Sequence, residues 1–582
     1  MNSTMKTNKY IVVLLAAVMV LSSCSNMLEK EPYGQLTEDL IDESAMAGLL
    51  AASYAGLNPH FFDDNNNAFA GPSTNWIFDV RSDDGLKGGG ATSMEGNIHN
   101  LEVGIVNSDD YSVLFKWKNN YFVLARVNKA LVALEGASGL ANKDHIRGEL
   151  LTLRAYYYFD LARIYRDGCL VLYTENENPS EKSNNATHEQ VYAQIIADLE
   201  EAYQLMGSKR LAAGRFEKYT AAALLAKVYA QIANEPWAPA NSWDKVIEYA
   251  EAVIKSGNYS LYPHFQDMSV IEFNNTHESI IAMQCSTADD YATYNRSNLL
   301  NKTYSDKNIY GTADDFFYGS QSLADAFRVD ANGLPYLDGE PEGHVGLQAL
   351  NDTMAAAGIT ELINATNYTG QVDPRLDFTV GRLGYPFRGY TYNSKWCRVI
   401  NLYGQFSNKK DCPDPTDSRV SKAFPWGASP LNFVFLRYAD VLLLAAEGYV
   451  ESTTQQNLGK ATDYVNEVRQ KALNSIDPTY IPVDLNLDNM GEYNVGMYPT
   501  FTDKEYARKA VRMERRLELA LEGHRWFDLI RWGKQNAVQT MNDYFQSEQT
   551  FHTYYKGKVM TEENLFFPTP YEEIVNSNGM YQ

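Results

Sequence analysis

Helical periodicity is the feature that most constrains how this 582-residue chain can fold. In eight segments, apolar residues recur three and four positions apart, a spacing that places them on one side of an α-helix. The segments span residues 119–135, 143–165, 188–206, 218–232, 243–255, 436–451, 460–471 and 505–521. Several of them come in pairs with short connections. The sequence therefore predicts a mostly α-helical protein built from helical hairpins.

The segment 218–257 indicates how such a hairpin packs. Its first helix carries Ala222 and Ala226, and its second carries Trp243, Ile247 and Ala250. Small residues on one helix admit the neighbouring helix closely, as they do in tetratricopeptide repeats. About four such pairs would form a right-handed helical scaffold. We expect a tetratricopeptide-like helical hairpin scaffold at about residues 110–257 and 432–582.

Helical periodicity is absent from two regions, residues 58–109 and 258–431. Both are rich in Gly, Asn, Asp and Tyr and contain few sustained apolar runs. The second region lies between two parts of the predicted scaffold. We expect the two regions to form an irregular, loop-rich lobe that is inserted into the scaffold and is not a separable domain.

The N-terminus has the features of an exported lipoprotein. Lys6 and Lys9 precede an apolar run at residues 11–21, which is too short to span a bilayer and is typical of a signal peptide. An ordinary secretory signal would also fit this run. Leu-Ser-Ser-Cys ending at Cys24 instead matches a bacterial lipobox, in which the cysteine is lipidated. We predict a signal peptide at 1–23, an acylated Cys24, a tether at 24–37 and a body at 38–582.

Charge and cysteine content exclude several classes of protein. A formal net charge of -23 argues against nucleic-acid binding, because neutralising phosphates requires a basic face. The cysteines after Cys24 lack the spacing of a zinc site, so we expect neither a metal nor a cofactor. Cys397 and Cys412 are fifteen positions apart across a loop. A disulfide between them in an oxidising compartment is an open alternative.

The stretch from Glu514 to Gly533 reads ERRLELALEGHRWFDLIRWG. Its apolar residues are typical of an amphipathic helix, and an Arg-rich helix of this kind usually docks on acidic neighbours. Gly523 offers a helix stop in the left-handed conformation. We interpret the stretch as structural, and we expect His524 to be packed or hydrogen-bonded and not catalytic.

The same stretch closely resembles the C-terminal hallmark of the SusD/RagB family, outer-membrane lipoproteins that capture nutrients beside a TonB-dependent transporter. Other stretches resemble the family's helical core, its loop landmark and its closing segment. They are RGELLTLRAYYYFDLARIY at 147–165, TAAALLAKVYAQIA at 220–233, FLRYADVLLLAAEGY at 435–449, DPRLDFTV at 373–380 and FFPTPYEEIVNSNGMYQ at 566–582. The last departs slightly from the family's Gln-Asn-Pro-Gly-Tyr ending. Together the matches span most of the chain.

The resemblance implies a non-enzymatic, lipid-anchored protein of the outer membrane, exposed at the cell surface. It would bind an oligosaccharide in the loop-rich lobe and pass it to a SusC-like, TonB-dependent transporter. A peptide ligand is an alternative within the family. An extracellular glycoside hydrolase is a further alternative, because a pair of catalytic carboxylates cannot be recognised from its spacing in sequence. Motifs of serine hydrolases, P-loop proteins and zinc proteases are absent from the sequence.

Candidate ligand residues lie in both loop-rich regions. Sugar recognition needs flat aromatic faces for the C–H side of the ring and polar groups for its hydroxyls. In the first region the sequence NWIFDVRSDDGLKGGG supplies both kinds of group, and in the second region tyrosines crowd a polar stretch. The ligand-binding candidates are Trp76, Arg81, Asp84, Tyr291, Tyr294, Asn295, Tyr304 and Tyr310. For Trp76, packing of the lobe against the helices is the competing interpretation.

Overall fold

The structure is a computed structural model, and it does not describe the whole chain. The described residues are 42–58, 76–288, 301–304, 309–311, 313–339, 341–359, 365–410, 412–423, 426–477, 479 and 484–582. The predicted signal peptide, Cys24 and the tether lie outside these residues.

Helices dominate the described residues and strands are short. The α-helices are α1 (Glu43–Ala55), α2 (Trp76–Val80), α3 (Gly96–Glu102), α4 (Tyr111–Gly136), α5 (Lys143–Ile164), α6 (His188–Leu205), α7 (Lys218–Ile232), α8 (Ser242–Ser256), α9 (Gln321–Ala326), α10 (Leu347–Ala356), α11 (Arg375–Thr379), α12 (Ile400–Tyr403), α13 (Tyr438–Glu451), α14 (Leu458–Asn474), α15 (Lys504–Leu519), α16 (Arg525–Trp532), α17 (Lys534–Glu548) and α18 (Tyr571–Asn576). The strands are β1 (Gly85–Gly88), β2 (Ser279–Met283), β3 (Phe316–Gly319), β4 (Pro386–Phe387), β5 (Tyr390–Thr391) and β6 (Phe433–Arg437). Short 3₁₀ helices lie at Pro179–Glu181, Phe265–Ser269, Ile271–Phe273, Ser394–Trp396, Leu487–Glu492, Thr553–Tyr555 and Glu562–Leu565.

The long helices form one continuous scaffold. From α4 to α8, each helix packs against the next in the chain, and α8 then packs against α13. Helix α13 in turn contacts α14 and α15. Since α8 and α13 are neighbours in space although residues 257–437 separate them, the loop-rich segment is an insertion between two packed helices. The predicted fold class, helical hairpins carrying an inserted irregular lobe, is confirmed.

Small residues explain the close packing of α7. Ala222, Ala223 and Ala226 are fully buried, and their short side chains leave room for α6 and α8 on either side. One predicted helix begins too early: Leu436 and Arg437 belong to β6, and α13 begins at Tyr438. Short apolar stretches lie on both sides of Arg437, and such a pattern does not by itself separate a buried strand from a helix.

Antiparallel strand pairs connect segments of the loop-rich lobe. Strand β2 pairs with β6, so the inserted segment is fastened near both of its ends. Strand β1 pairs with β3 and joins the first loop-rich region to the second, while β4 and β5 form a small hairpin. Cys397 and Cys412 are buried free thiols in this structure, so the disulfide alternative is not realised here.

Helix α15 crosses the core with buried charges that are paired. Glu518 accepts hydrogen bonds from Arg437 Nη1 and Lys471 Nζ at 2.6 Å each and from Arg375 Nη1 at 3.2 Å. On another side of the helix, Arg515 Nη1 donates to Asp440 Oδ1 at 2.8 Å. The Arg-rich helix α15 therefore packs against acidic residues such as Asp440. Its own Glu518 in turn binds basic residues of other elements.

The C-terminal hallmark turn is held in place by the first loop-rich region. Gly523 has a φ of +81°, and its backbone N–H donates to Asp79 Oδ2 at 2.5 Å. His524 Nδ1 lies 3.0 Å from Lys227 Nζ. Burial and the neighbouring Lys227 lower the pKa of His524 to about 3, so its imidazole is neutral at physiological pH. These contacts support a structural role for the turn.

Candidate ligand-binding surface

The first loop-rich region uses its charges internally. Arg81 is 1% exposed, its guanidinium lies 4.4 Å from the ring centroid of Trp526, and its Nη2 donates to the Asn564 carbonyl at 2.7 Å. Burial lowers the pKa of Arg81 to about 9. The Arg81 side chain thus joins the lobe to the C-terminal hallmark, and it presents no free face to a ligand.

Asp84 also makes internal contacts. It is fully buried and accepts a hydrogen bond from Arg516 Nε at 2.7 Å. Its neighbour Asp83 accepts a bidentate pair of 2.8 Å hydrogen bonds from Arg525. The polar groups of this region that suggested partners for sugar hydroxyls are therefore contacts of the Arg-rich helices.

The structure does not describe the side chains of four ligand-binding candidates. Tyr291, Tyr294 and Asn295 lie outside the described residues, and so does the side chain of Trp76, although its backbone begins α2. The ligand contacts predicted for these four residues stay predictions.

Tyr310 belongs to the core of the lobe. It is fully buried in a small apolar cluster that also contains Phe387, Tyr392 and Trp396, and its hydroxyl donates to the Pro413 carbonyl. A ring enclosed in this way has no face available for stacking on a sugar. The cluster reaches Tyr304 through Trp396, whose carbonyl accepts a hydrogen bond from the Tyr304 N–H.

Tyr304 is the candidate that the structure places at the surface, with 38% of the residue exposed. The guanidinium of Arg398 lies 5.2 Å from its ring centroid, and Arg398 Nη1 donates to Asp314 Oδ1 at 2.6 Å. Both Arg398 and Asp314 keep partly exposed side chains. An aromatic face, a guanidinium and a carboxylate therefore meet at one solvent-facing point, which we name the Tyr304 surface.

Backbone contacts fix this arrangement. The Tyr304 N–H donates to the Trp396 carbonyl at 2.9 Å, which fastens the segment to the apolar cluster of the lobe. The Arg398 N–H donates to Asp315 Oδ2 at 2.8 Å, and the Ser407 hydroxyl donates to Asp315 Oδ1 at 2.9 Å. Burial raises the pKa of Asp315 to about 7. By accepting a hydrogen bond from the Arg398 N–H, Asp315 thus fixes the position of Arg398 in the Tyr304 surface.

The sequence did not identify Arg398 and Asp314 as members of this surface. Arg398 is 94 positions from Tyr304, and no periodic pattern relates two loop residues so far apart. Asp314 had one usable signal, because it lies two positions before the aromatic run that begins at Phe316.

Among the described residues, no group of three or more His, Cys, Asp or Glu residues is arranged to hold a metal ion. Within the same residues, none of the helices combines the length and apolar character needed to cross a membrane.

Comparison with known proteins identifies the family. A sequence profile described as "SusD family" matches residues 277–582, slightly more than half of the chain. The chain belongs to the SusD family. A second profile, described as "Starch-binding associating with outer membrane", matches residues 28–230. The SusD-family resemblance of the hallmark stretch is thereby confirmed.

Relatives of this SusD-family chain match it over most of its length. A SusD-like protein of Bacteroides ovatus is 23% identical over 561 residues, covering 93% of this chain and 85% of that protein. The structure of surface glycan-binding protein A from Bacteroides fluxus has a TM-score of 0.65 at 19% identity, covering 92% of this chain and 97% of that one. Surface glycan-binding protein A from Bacteroides thetaiotaomicron, in complex with laminarihexaose, has a TM-score of 0.61 at 18% identity, covering 92% and 98%. At these identities the structures establish the fold.

Proposed function

We propose that this chain is a cell-surface, lipid-anchored protein that binds an oligosaccharide and delivers it to a TonB-dependent, SusC-like transporter, without being an enzyme. The observation that carries the glycan-binding part is the Tyr304 surface, where an exposed ring lies beside the Arg398 and Asp314 pair. A stacked ring covers the C–H face of a sugar, and a guanidinium with a carboxylate offers donors and acceptors to its hydroxyls. Support also comes from relatives that are described as glycan-binding.

The Tyr304 ring should contribute measurably to affinity. A sugar face that buries about 60 Å² of apolar area gains roughly 1.5 kcal/mol at about 25 cal/mol per Å². We therefore expect Tyr304→Ala to weaken oligosaccharide binding about tenfold. Because Tyr304 is exposed, the melting temperature should change by no more than a few degrees. Calorimetric titration with a panel of oligosaccharides that includes laminarihexaose, beside thermal melting, measures both quantities.

A matched control removes an exposed tyrosine elsewhere. Tyr571, on α18, is 59% exposed, and Tyr571→Ala should leave affinity unchanged. If Tyr304→Ala binds every glycan with the same affinity as the wild-type protein, Tyr304 is not part of the ligand surface. Titration with peptides and a reducing-end assay distinguish the proposed function from a peptide importer and a hydrolase.

The anchoring and delivery parts of the proposal rest on Cys24 and on family membership. Two or three acyl chains on one cysteine bury enough methylenes, at about 0.8 kcal/mol each, to hold the body at a membrane. Tethering raises the effective concentration of the protein beside a transporter, so weak glycan affinity suffices for delivery.

Loss of the lipid should therefore release the protein and uncouple it from the transporter. We expect Cys24→Ala to move the chain from the membrane fraction to the soluble fraction. Affinity purification in mild detergent should recover a large β-barrel transporter with the wild-type protein and much less of it with the variant. A Cys24→Ala protein that sediments with membranes and incorporates labelled palmitate like the wild type would contradict the lipidation assignment. Cys169→Ala serves as the control, because it removes a cysteine that lies within the predicted body.

A further inference from the structure

A polar cavity lies where the helical scaffold meets the inserted lobe. It is formed by the loop between α6 and α7 together with the segment that joins α8 to β2, and its volume is about 280 Å³. Each described residue that lines it has a polar side chain, and none of them belongs to the Tyr304 surface. We name it the Lys209 pocket, after one of its lining residues. Since an apolar cavity of about 150 Å³ accommodates benzene, this volume admits a single substituted sugar ring.

Arg210 places a guanidinium of fixed orientation in the wall of the pocket. Its Nη2 donates to the carbonyls of Ser279 and Ile280 at 2.7 and 2.9 Å, and to the Tyr259 hydroxyl at 3.3 Å. These acceptors are neutral, so they leave the positive charge unbalanced. Nε and Nη1 have no hydrogen-bond partner among the described residues, and neither atom is sealed from solvent. Two donors of an already ordered cation are therefore available to a ligand.

Lys209 adds a second available cation to the pocket. Its side chain is exposed and forms no hydrogen bond or ion pair with another described residue. Among the described lining residues, Glu217 is the one carboxylate, and it is 1% exposed. Its oxygens accept hydrogen bonds from the Tyr259 hydroxyl at 2.6 Å and from the Tyr219 N–H at 2.8 Å. The lining therefore has a local excess of positive charge, on a chain whose formal net charge is -23.

Neutral polar groups of the same pocket suit the hydroxyls of a ligand. Asn258 Nδ2 donates to the Ser208 carbonyl at 2.7 Å, which joins the two sides of the pocket. The Oδ1 atom of Asn258 and the hydroxyl of Ser208 have no hydrogen-bond partner among the described residues. An amide oxygen accepts and a serine hydroxyl both donates and accepts, so the pair matches hydroxyl groups.

From these observations we propose that the Lys209 pocket binds one sugar unit that carries a carboxylate or a sulfate, at a site separate from the Tyr304 surface. Arg210 and Lys209 bind the anionic group through charge-assisted hydrogen bonds, while Ser208 and Asn258 bind ring hydroxyls. A neutral sugar leaves both cations without a counter-charge, and inorganic phosphate has no ring hydroxyls for the neutral groups. The proposal does not rest on the Tyr304 surface or on delivery to a transporter.

Titration of the full chain with small ligands tests the ligand class. Glucuronate, galacturonate and glucose 6-sulfate are compared with glucose and inorganic phosphate by calorimetry. We expect at least one acidic sugar to bind about tenfold more tightly than glucose or phosphate, because only an acidic sugar engages both the cations and the neutral groups. The proposal is overturned if no acidic sugar binds, or if glucose or phosphate binds as tightly as the best of them.

Replacing Lys209 tests the location of the site. Lys209→Gln removes the charge of an exposed side chain, so the fold should persist, and thermal melting checks this. We expect Lys209→Gln to weaken binding of the acidic sugar about tenfold and Lys209→Arg to retain it. Lys129 on α4 is also exposed but does not line the pocket, so Lys129→Gln should bind like the wild type. Wild-type affinity in Lys209→Gln, or an equal loss in Lys129→Gln, would overturn the assignment.

Salt dependence tests whether charge attraction holds the ligand. The Debye length falls from about 10 Å at 0.1 M salt to about 3 Å at 1 M. The affinity of the acidic sugar should therefore fall several-fold over this range. An affinity that does not change with salt would contradict the role of the two cations and overturn the proposal.

The Tyr304→Ala variant separates this proposal from the proposed function. Binding of the acidic sugar should persist in that variant even where oligosaccharide binding is weakened. Loss of acidic-sugar binding in Tyr304→Ala would overturn the assignment to the Lys209 pocket. If Tyr304→Ala keeps its oligosaccharide affinity while Lys209→Gln loses the acidic sugar, the Tyr304 surface fails as the oligosaccharide site and the Lys209 pocket stands.

Discussion

Replacing Glu518 by alanine should lower the free energy of unfolding by about 3–5 kcal/mol, because removing one partner of a buried ion pair leaves the others uncompensated. Glu518 is fully buried and accepts hydrogen bonds from Arg375, Arg437 and Lys471. All three cations are themselves buried. Chemical denaturation followed by circular dichroism measures the loss.

The control for this prediction is a glutamate-to-alanine substitution at an exposed position of the same helix. Glu505 pairs with Arg508 near the start of α15, and its side chain is 69% exposed. Glu505→Ala should cost less than about 1 kcal/mol, as exposed ion pairs do. If Glu518→Ala costs no more than Glu505→Ala, the buried network does not hold α15 to the lobe.

Removing the charge of Glu522 should make stability depend less on pH. Glu522 accepts hydrogen bonds from Arg437 at 2.7 and 2.9 Å and also from Lys410. Burial opposes its ionisation, but the charges of Arg437 and Lys410 outweigh burial and lower the pKa of Glu522 to about 2, from an ordinary value of 4.5. Ionised Glu522 therefore stabilises the fold above about pH 4.5, and this contribution is lost as the pH falls towards 2.

The size of the effect follows from that shift. At about 1.4 kcal/mol per pKa unit, the ionised group contributes roughly 3 kcal/mol at pH 7. We expect Glu522→Gln to be less stable than the wild type by this amount at pH 7, with the gap closing between pH 4.5 and pH 2. Other carboxyls titrate in both proteins and largely cancel in the difference. Glu505→Gln should follow the wild-type curve throughout, and a constant gap for Glu522→Gln would disprove the assignment.

The scaffold could be predicted from the sequence because its signals are local. Helical spacing and small residues such as Ala222 and Ala226 determine which faces pack, and α7 was predicted with the ends it has in the structure, at 218–232. The error at Leu436 and Arg437 has a physical cause, since the short apolar stretch before Arg437 is compatible with either a strand or a helix.

The candidate site could be predicted only in part. Tyrosine enrichment led to Tyr304 but equally to Tyr310, whose ring is buried, because composition does not reveal exposure. Arg81 has the residue type of a ligand partner, yet it contacts Trp526, 445 positions later. Contacts of this range, like the meeting of Tyr304 with Arg398, depend on how the loops fold over the scaffold. No spacing in the sequence specifies them.

The parallel bridge between Tyr165 and Phe567 has a consequence for the order of events during synthesis. The Phe567 N–H donates to the Ile164 carbonyl at 2.8 Å, so the end of α5 meets its partner only when nearly the whole chain exists. At about 5–20 residues per second, roughly 20–80 s separate the two residues on the ribosome. Contacts so distant in sequence form late, because the intervening chain must first be ordered. Until Phe567 is available, the end of α5 lacks this partner, and we expect aggregation to compete with folding during that interval.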